Sequence, residues 1–201
     1  MRRSTFRTRW GDKLIDGAQM LELIPQDLRE RLEAVGIIYE CRWEPSRWRR
    51  EFGVDTEPAV CALLERLPNT RFSLTDGNLR MLYSTPAITR LPDGSPVFIN
   101  GILAHLPRID HPRYRGQPVY ATGMNRVCFG DGELISDQVT NALIDAHDQV
   151  RYRHRWMAGD VLIIDNTRYM HGREMTTTPC ERVLLTRFGR RSNHSPEPSE
   201  Y

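Results

Sequence analysis

Three side chains near the C-terminal end of the sequence have the chemistry that metal and carboxylate binding require. His171 follows an apolar run at residues 161–164 and a turn-forming segment, and it precedes Arg182 and Arg187. A neutral imidazole can ligate iron, and a guanidinium can hold a carboxylate through two parallel hydrogen bonds. A lone histidine in a β-rich chain is more often a hydrogen-bonded structural residue. A cavity that His171 faces and that also holds an arginine would favour an iron-binding role.

The spacing of Arg182 and Arg187 predicts that only one of them faces the same cavity as His171. Positions 182 and 187 would lie on opposite faces of a regular strand, because side chains alternate along it. Only a bulge would let both arginines face the same cavity. The alternative for each is a surface ion pair worth under about 1 kcal/mol.

The elements that would position these side chains are many short strands and a few helices. Stop signals, cap residues and apolar periodicity predict helices at 17–36, 56–67 and from Ser136 onward. β-Branched runs and turn residues predict strands at 36–43, 71–74, 79–83, 97–100, 151–156, 161–164 and 182–188. This order predicts a mainly β fold with flanking helices, an antiparallel sandwich or jelly roll, in one domain over residues 1–191. The proline-rich residues 106–118 are expected to form a long loop, and the polar residues 192–201 a disordered tail.

The composition indicates a folded domain and excludes several protein classes. The 201 residues are 39% hydrophobic and 27% charged, which excludes disordered and collagen-like chains. No run of about 18 apolar residues occurs, which excludes a transmembrane helix. No signal sequence is recognisable, so a cytoplasmic location without a membrane partner is expected. The four cysteines lack a C-x-x-C spacing, and we expect reduced thiols rather than a zinc site or disulfides.

The positive charge of the chain is carried almost entirely by arginine. Lys13 is the single lysine among 28 basic residues, and the net charge is only +2. The densest basic segment is residues 47–50, where Trp48 stands among three arginines. A phosphate-binding surface usually needs more than one such patch. An arginine-rich nucleic-acid-binding module is therefore an alternative with little support.

The segment around His171 resembles a known metal-binding motif. Its spacing is W-x-x-G-D-x-x-x-x-D-N-x-x-x-x-H-G-R, carried by Trp156, Gly159-Asp160, Asp165-Asn166 and His171-Gly172-Arg173. This spacing is similar to the C-terminal motif of the taurine catabolism dioxygenase (TauD/TfdA) family, among the clavaminate synthase-like Fe(II)/2-oxoglutarate oxygenases. Other segments resemble further landmarks of that family in the same order, at residues 36–39, 48–52, 76–80, 86–87, 98–100 and 129–132. The resemblance spans residues 10–189.

The resemblance implies a double-stranded β-helix, the cupin-like jelly roll, and an oxidoreductase with Fe(II) as cofactor and 2-oxoglutarate as cosubstrate. It implies that His171 is an iron ligand, that Arg182 binds the distal carboxylate of 2-oxoglutarate, and that Arg187 contacts an anionic group of the substrate. Lys13 stands where the family has a threonine that helps to hold 2-oxoglutarate, and a lysine there could supply positive charge. The implied reaction is hydroxylation of a small molecule, anionic or amino-acid-like, with residues 106–118 as a lid.

One part of the family pattern is missing from the sequence. The other two iron ligands of the family arrive as His-x-Asp or His-x-Glu before the segment that residues 10–14 resemble, and none of the six histidines starts such a tripeptide. The jelly roll is therefore expected to be incomplete at its N-terminus, with an open strand edge that would favour a homo-oligomer, poor solubility or dependence on a partner. The main alternative to an active dioxygenase is a truncated or degenerate non-catalytic homologue, because one histidine alone fixes iron poorly.

Overall fold

The computed structural model of the protein describes residues 11–106, 125–173 and 185–189. The helices in these ranges are α1 Gly17–Leu23, α2 Gln26–Val35, α3 Pro45–Phe52, α4 Glu57–Leu64, α5 Ile102–His105 and α6 Asp137–Val150. The strands are β1 Gly11–Asp16, β2 Ile37–Trp43, β3 Thr70–Thr75, β4 Asn78–Thr85, β5 Thr89–Arg90, β6 Pro96–Val97, β7 Asn125–Phe129, β8 Arg151–Arg155 and β9 Tyr169–Arg173. None of these helices has both the length and the apolar surface needed to cross a lipid bilayer.

The strands form two larger antiparallel sheets and one short hairpin. The four-stranded sheet has the order β3-β4-β2-β7, and the three-stranded sheet has the order β8-β1-β9. The short hairpin pairs β5 with β6. Antiparallel sheets with helices packed around them agree with the fold class that the sequence predicts.

The first hydrophobic core joins the two larger sheets through α1, α2 and α6. Its buried members include Met20 of α1 and Leu143 of α6, together with Ile37 and Phe129 of the four-stranded sheet. Ile15 of β1 is buried in the same core. One face of the three-stranded sheet therefore packs against this core.

The second core lies under the other half of the four-stranded sheet, where α3 and α4 cover it. Trp48, Val60, Leu64 and Leu79 are its fully buried members. The indole Nε1 of Trp48 also donates a hydrogen bond to the carbonyl oxygen of Gly77 at 2.9 Å. This bond ties α3 to the β3–β4 hairpin, so the helix and the hairpin form one packed unit.

Two glycines allow the close backbone contacts at the ends of α1 and α2. A Cβ atom at Gly17 would lie 2.6 Å from the carbonyl oxygen of Phe98, and the N–H of Gly17 donates to the carbonyl oxygen of Arg168 at 2.9 Å. Gly36 ends α2 with a φ of 66°, and a Cβ atom there would lie 2.7 Å from the carbonyl oxygen of Thr85. Any larger residue would force these backbone segments apart, and a positive φ also favours glycine.

Local sequence signals predict several elements correctly. Pro25 separates α1 from α2, and Ser136 caps α6 through its side chain. The hairpin predicted around Gly77 is the β3–β4 pair. Helix α4 begins after Thr56 as predicted, but it ends at Leu64 rather than at residue 67. Helices α3 and α5 and strands β1, β5 and β7 are not predicted, because each is only two to eight residues long and gives little local pattern.

The apolar run at residues 161–164 does not form the buried strand that its composition predicts. It pairs with no strand in the described ranges, and Val161 and Ile163 are 86% and 92% exposed. Leu162 and Ile164 are half-buried, so only alternate side chains contact the protein. A buried strand needs a neighbouring strand to satisfy its backbone groups, and local sequence does not show whether that neighbour is present.

Two other predicted strands are shorter or less regular in the structure. The strand predicted at 97–100 is reduced to β6. The end of the strand predicted at 182–188 has no regular secondary structure, and Leu185 and Phe188 there are exposed. Three predicted features lie outside the described residues, namely the start of that strand, the loop from residue 107 onward and the tail at 192–201.

Candidate functional site

His171 lies on β9, an outer strand of the three-stranded sheet. Strand β9 pairs with β1, and Leu14 is the residue directly opposite His171. The neighbouring pair, Ile15 and Met170, contacts the first core. Because side chains alternate along a strand, His171 lies on the open face of the sheet, where it is exposed.

A turn built by Asp165 sets the start of β9. Its Oδ1 atom accepts hydrogen bonds from the backbone N–H of Thr167 at 2.9 Å and from the hydroxyl of Thr167 at 2.6 Å. Its carbonyl oxygen accepts from the N–H groups of Arg168 and Tyr169. Aspartate commonly builds such turns with its own side chain. The aspartate of the D-N pair in the motif therefore turns the chain into the strand that carries His171.

An ion pair fastens this turn to β1 and α1. Arg168 donates from Nη2 and Nε to Oδ2 of Asp16 at 2.7 and 3.1 Å. Asp16 is 8% exposed, and it caps α1 by accepting from the N–H of Ala18 at 2.9 Å. Burial raises the pKa of Asp16, but the hydrogen bonds from Arg168 and Ala18 outweigh burial and hold that pKa below its ordinary value. The carboxylate therefore stays ionised and anchors the segment before His171.

The strand register separates Lys13 from His171. Lys13 is opposite Gly172 on β9 and Arg153 on β8, whereas His171 is opposite Leu14. Directly opposite residues share a face, and a shift of one residue moves a side chain to the other face. Lys13 therefore lies on the other face of the sheet. The structure does not bring these two predicted site residues together.

Two further residues of the motif hold the end of β8 against β1. The indole Nε1 of Trp156 donates to Oδ2 of Asp12 at 2.9 Å, and the Trp156 ring meets the His154 ring edge-on with 4.7 Å between centroids. Asp160 accepts from the N–H of Met157 at 2.9 Å and lies 3.2 Å from Nε2 of His154. The motif includes Trp156 and Asp160, but their structural roles depend on contacts that cannot be inferred from the motif spacing.

The Asn100 landmark binds backbone groups of two residues in the first core, Ala87 and Ile102. The amide of Asn100 accepts from the N–H of Ile102 at 3.0 Å and donates to the carbonyl oxygen of Ala87 at 2.8 Å. The phenol oxygen of Tyr39 accepts from the N–H of Gly101 at 2.9 Å, and burial raises the pKa of Tyr39 to about 12. These bonds fix the segment between β6 and α5.

The donor side chains on the histidine-bearing face do not complete an iron site. Asp12, His154 and His171 share this face by register, and two imidazoles with one carboxylate are typical ligands of non-haem iron. However, Asp12 accepts from Trp156, and His154 lies against Asp160. Within residues 11–106, 125–173 and 185–189, no three His, Cys, Asp or Glu side chains are grouped so that they could hold a metal ion. The described residues therefore do not fit a three-ligand iron centre.

The described part of the structure does not show either predicted arginine beside His171. Arg182 lies outside those residues, and Arg187 is exposed in the short segment 185–189. The described residues do not enclose His171 in a cavity, because its side chain is exposed. The structure thus shows an accessible imidazole on a well-anchored strand, and the arginine roles stay predictions.

Comparison with known proteins identifies the family of the chain. The family model described as taurine catabolism dioxygenase TauD, TfdA family matches residues 12–188. A search of curated proteins finds no match. The family has the jelly-roll fold, which confirms the predicted fold class, and Fe(II)/2-oxoglutarate-dependent dioxygenase activity is general in it. Because the match covers most of the sequence, the chain belongs to the taurine catabolism dioxygenase (TauD, TfdA) family.

Proposed function

We propose that this chain functions in an Fe(II)- and 2-oxoglutarate-dependent dioxygenase reaction and that His171 is its iron ligand. Family membership supports the reaction class. The observation that carries the role of His171 is the β1–β9 register, which puts the motif histidine on the open face of the sheet. An exposed imidazole can approach a metal ion, whereas the neighbouring Met170 packs against the first core.

The described residues have one task in this proposal, which is to hold one imidazole in place. Pairing with β1 fixes the backbone at His171, and the Asp16–Arg168 ion pair anchors the preceding turn. Iron with 2-oxoglutarate supplies the oxidising chemistry when both are bound. Two more protein ligands are needed, and in this proposal they come from outside the described residues, in this chain or in a partner.

Carboxylate recognition is assigned to the two arginines that follow β9 in the sequence. Arg182 binds the distal carboxylate of 2-oxoglutarate, and Arg187 contacts an anionic group of the substrate. A guanidinium matches a carboxylate with two parallel hydrogen bonds, and the exposure of Arg187 leaves it accessible to a ligand. The substrate is a small molecule, anionic or amino-acid-like, and the product is hydroxylated. Lys13 is left out of this site because it lies on the other face of the sheet.

Anaerobic addition of Fe(II) and 2-oxoglutarate to the purified protein tests this proposal. We expect a visible charge-transfer band in the wild type and its loss in His171→Ala. The matched control is His154→Gln, because His154 lies on the same face but contacts Asp160, and this variant should keep the band. Addition of O2 should then convert 2-oxoglutarate to succinate in the wild type and in the control. A band that survives in His171→Ala contradicts the proposal.

A non-catalytic homologue is the second candidate, and one observation favours it. The described part of the chain has no group of three metal-binding side chains, and a single histidine does not fix the coordination geometry of iron. This candidate predicts a protein that folds, gives no charge-transfer band and forms no succinate. The same anaerobic titration therefore separates the two candidates.

A further inference from the structure

The four-stranded sheet has a polar face that the proposed dioxygenase reaction does not use. Alternation along the strands places Glu40 and Arg42 of β2, Arg80 of β4 and Arg126 of β7 on this face, away from both hydrophobic cores. The same register adds five more polar residues to the face, which are Arg71, Ser73, Thr75, Asn78 and Ser84, together with the apolar Ile38, Leu82 and Cys128. Arg42 and Arg80 are directly opposite each other.

One buried carboxylate holds the guanidinium groups of this face together. The side chain of Glu40 is 5% exposed, and its Oε1 atom accepts from Nε of Arg42 at 2.8 Å and from Nε of Arg80 at 2.7 Å. Nη1 of Arg126 lies 3.7 Å from Oε2. Burial raises the pKa of Glu40, but the hydrogen bonds from Arg80 and Arg42 outweigh burial and hold that pKa below its ordinary value. Glu40 therefore stays ionised and offsets the repulsion between two arginines at opposite positions.

Arginine is the main charged residue type on this face. Four arginines lie on it, and the carboxylates of Glu40 and Glu44 lie beside them. In the described part of the chain, the guanidinium of Arg80 hydrogen-bonds only through Nε, to Glu40. About half of the side chains of Arg42 and Arg80 is exposed, at 52% and 51%. Arg80 therefore has donor nitrogens that a ligand can reach.

A hollow of about 390 Å³ opens beside Arg42 and Arg80. The rest of its wall combines polar side chains with apolar surface, from Trp43, Glu44, Ser73, Thr75, Asn78 and Leu79. The carboxylate of Glu44 accepts a hydrogen bond from the hydroxyl of Ser46 at 2.8 Å. A volume of this size, with a few polar groups converging on it, is typical of a small-molecule site.

We propose that this hollow binds the oxyanion group, carboxylate or phosphate, of a small molecule. Glu40 holds the two guanidinium groups in place before the ligand arrives, which lowers the ordering cost of binding. The hydroxyl and amide side chains of Ser73, Thr75 and Asn78 add further polar groups to the hollow. Glu44 at the rim repels an extended polyanion, so a single oxyanion group fits the charges better than a nucleic acid does.

Calorimetric titration of the full chain with phenyl phosphate, benzoate and inorganic phosphate tests this site. We expect binding of phenyl phosphate or benzoate to the wild type, and the preferred probe identifies the oxyanion. Arg80→Gln should weaken that binding at least about tenfold, because a charge-assisted pair of hydrogen bonds is lost. Arg66→Gln is the matched control, since it removes an equal charge from an exposed residue after α4 that does not line the hollow. Its affinity should stay close to that of the wild type.

Three outcomes would overturn the site, provided that circular dichroism shows each variant to be folded. The first is no heat with any probe at millimolar concentration. The second is an equal loss of affinity in Arg80→Gln and Arg66→Gln. The third is that a single-stranded oligonucleotide binds more tightly than the small probes, with an affinity that falls with added salt and in both variants. That result would indicate a diffuse basic surface. His171→Ala should bind the probes as the wild type does, so the result does not depend on the proposed iron site.

Discussion

The two larger sheets of this protein differ in how much of their surface is buried. The four-stranded sheet is backed by two cores, and Trp48 and Leu79 beneath it are almost fully buried. Among the described side chains of the three-stranded sheet, Ile15 is the one buried apolar residue, and Tyr152 is 61% exposed. Most of the hydrophobic packing therefore lies under the four-stranded sheet, while the proposed iron ligand His171 lies on the three-stranded sheet.

This difference has a physical meaning for function. Segments with few buried apolar contacts open more easily than a packed core, and binding sites are commonly drawn from them. The strand that carries His171 is held mainly by its pairing with β1 and by the Asp16–Arg168 ion pair. Substitutions should therefore cost much stability under the four-stranded sheet and little at exposed positions of the three-stranded sheet.

The largest expected loss of stability is in the second core, and it is compared with a substitution in the exposed apolar run after β8. Trp48→Ala should lower the free energy of unfolding by about 3–5 kcal/mol, because it empties a buried site and removes the hydrogen bond to Gly77. Ile163→Ala, at 92% exposure, should change it by less than about 0.5 kcal/mol. Urea denaturation followed by circular dichroism measures both values. Similar costs for the two variants would contradict the difference in burial between the second core and the run at 161–164.

The next largest effect concerns the buried carboxylate of the four-stranded sheet. Glu40→Gln should lower the free energy of unfolding by about 1–3 kcal/mol, because Arg42 and Arg80 then face each other without a bridging charge. Urea denaturation at neutral pH measures this loss. A cost under about 0.5 kcal/mol would show that solvent already screens the two guanidinium groups.

The same variant predicts a pH dependence with a definite sign. The pKa of Glu40 is lowered in the folded state, so its contribution is present above the ordinary glutamate pKa of about 4.3 and is lost as pH falls through the folded value. The stability difference between wild type and Glu40→Gln should therefore shrink on acidification below that ordinary pKa. Unfolding curves from neutral to acidic pH check this, and a difference that stays constant would show that charge is not its cause.

A smaller effect is expected where the three-stranded sheet is anchored. Asp16→Ala should cost about 1–2 kcal/mol, because it removes both the cap of α1 and the ion pair with Arg168. Asp16→Asn should cost less, since asparagine also caps helices well. Hydrogen exchange should quicken in β9 in both variants. If exchange in β9 does not change, the ion pair does not anchor the histidine-bearing strand.

The smallest effect is expected at the proposed ligand itself. His171→Ala should change the free energy of unfolding by less than about 0.5 kcal/mol, because the ring is exposed on the open face. Thermal unfolding of the metal-free protein measures it. A much larger loss would show that the histidine has a structural role, and it would weaken any conclusion drawn from the iron titration of this variant.

Features that depend on neighbouring residues could be predicted from the sequence. Pro25 and Gly36 mark the ends of the first two helices, and Ser136 caps α6, because each acts within a few residues of its own position. The motif that ends at His171 likewise identifies the family, and the matching family model confirms that identification.

Features that depend on pairing between distant strands could not be predicted. The run at 161–164 has the composition of a buried strand, but burial requires a partner strand elsewhere in the chain. Lys13 is separated from His171 by a register that differs by one residue, and register is set by packing between distant segments. The Trp156–Asp12 hydrogen bond also joins residues far apart in sequence.

NMR of the histidine rings during an anaerobic Fe(II) titration tests most directly whether His171 is an iron ligand. With 2-oxoglutarate present, the ring resonances of His171, assigned with His171→Gln, should broaden or shift at the first additions of Fe(II). The ring of His147, buried beside Asp148, should remain unchanged at those additions. An unchanged His171 ring, or a response that begins at another histidine, would contradict the account.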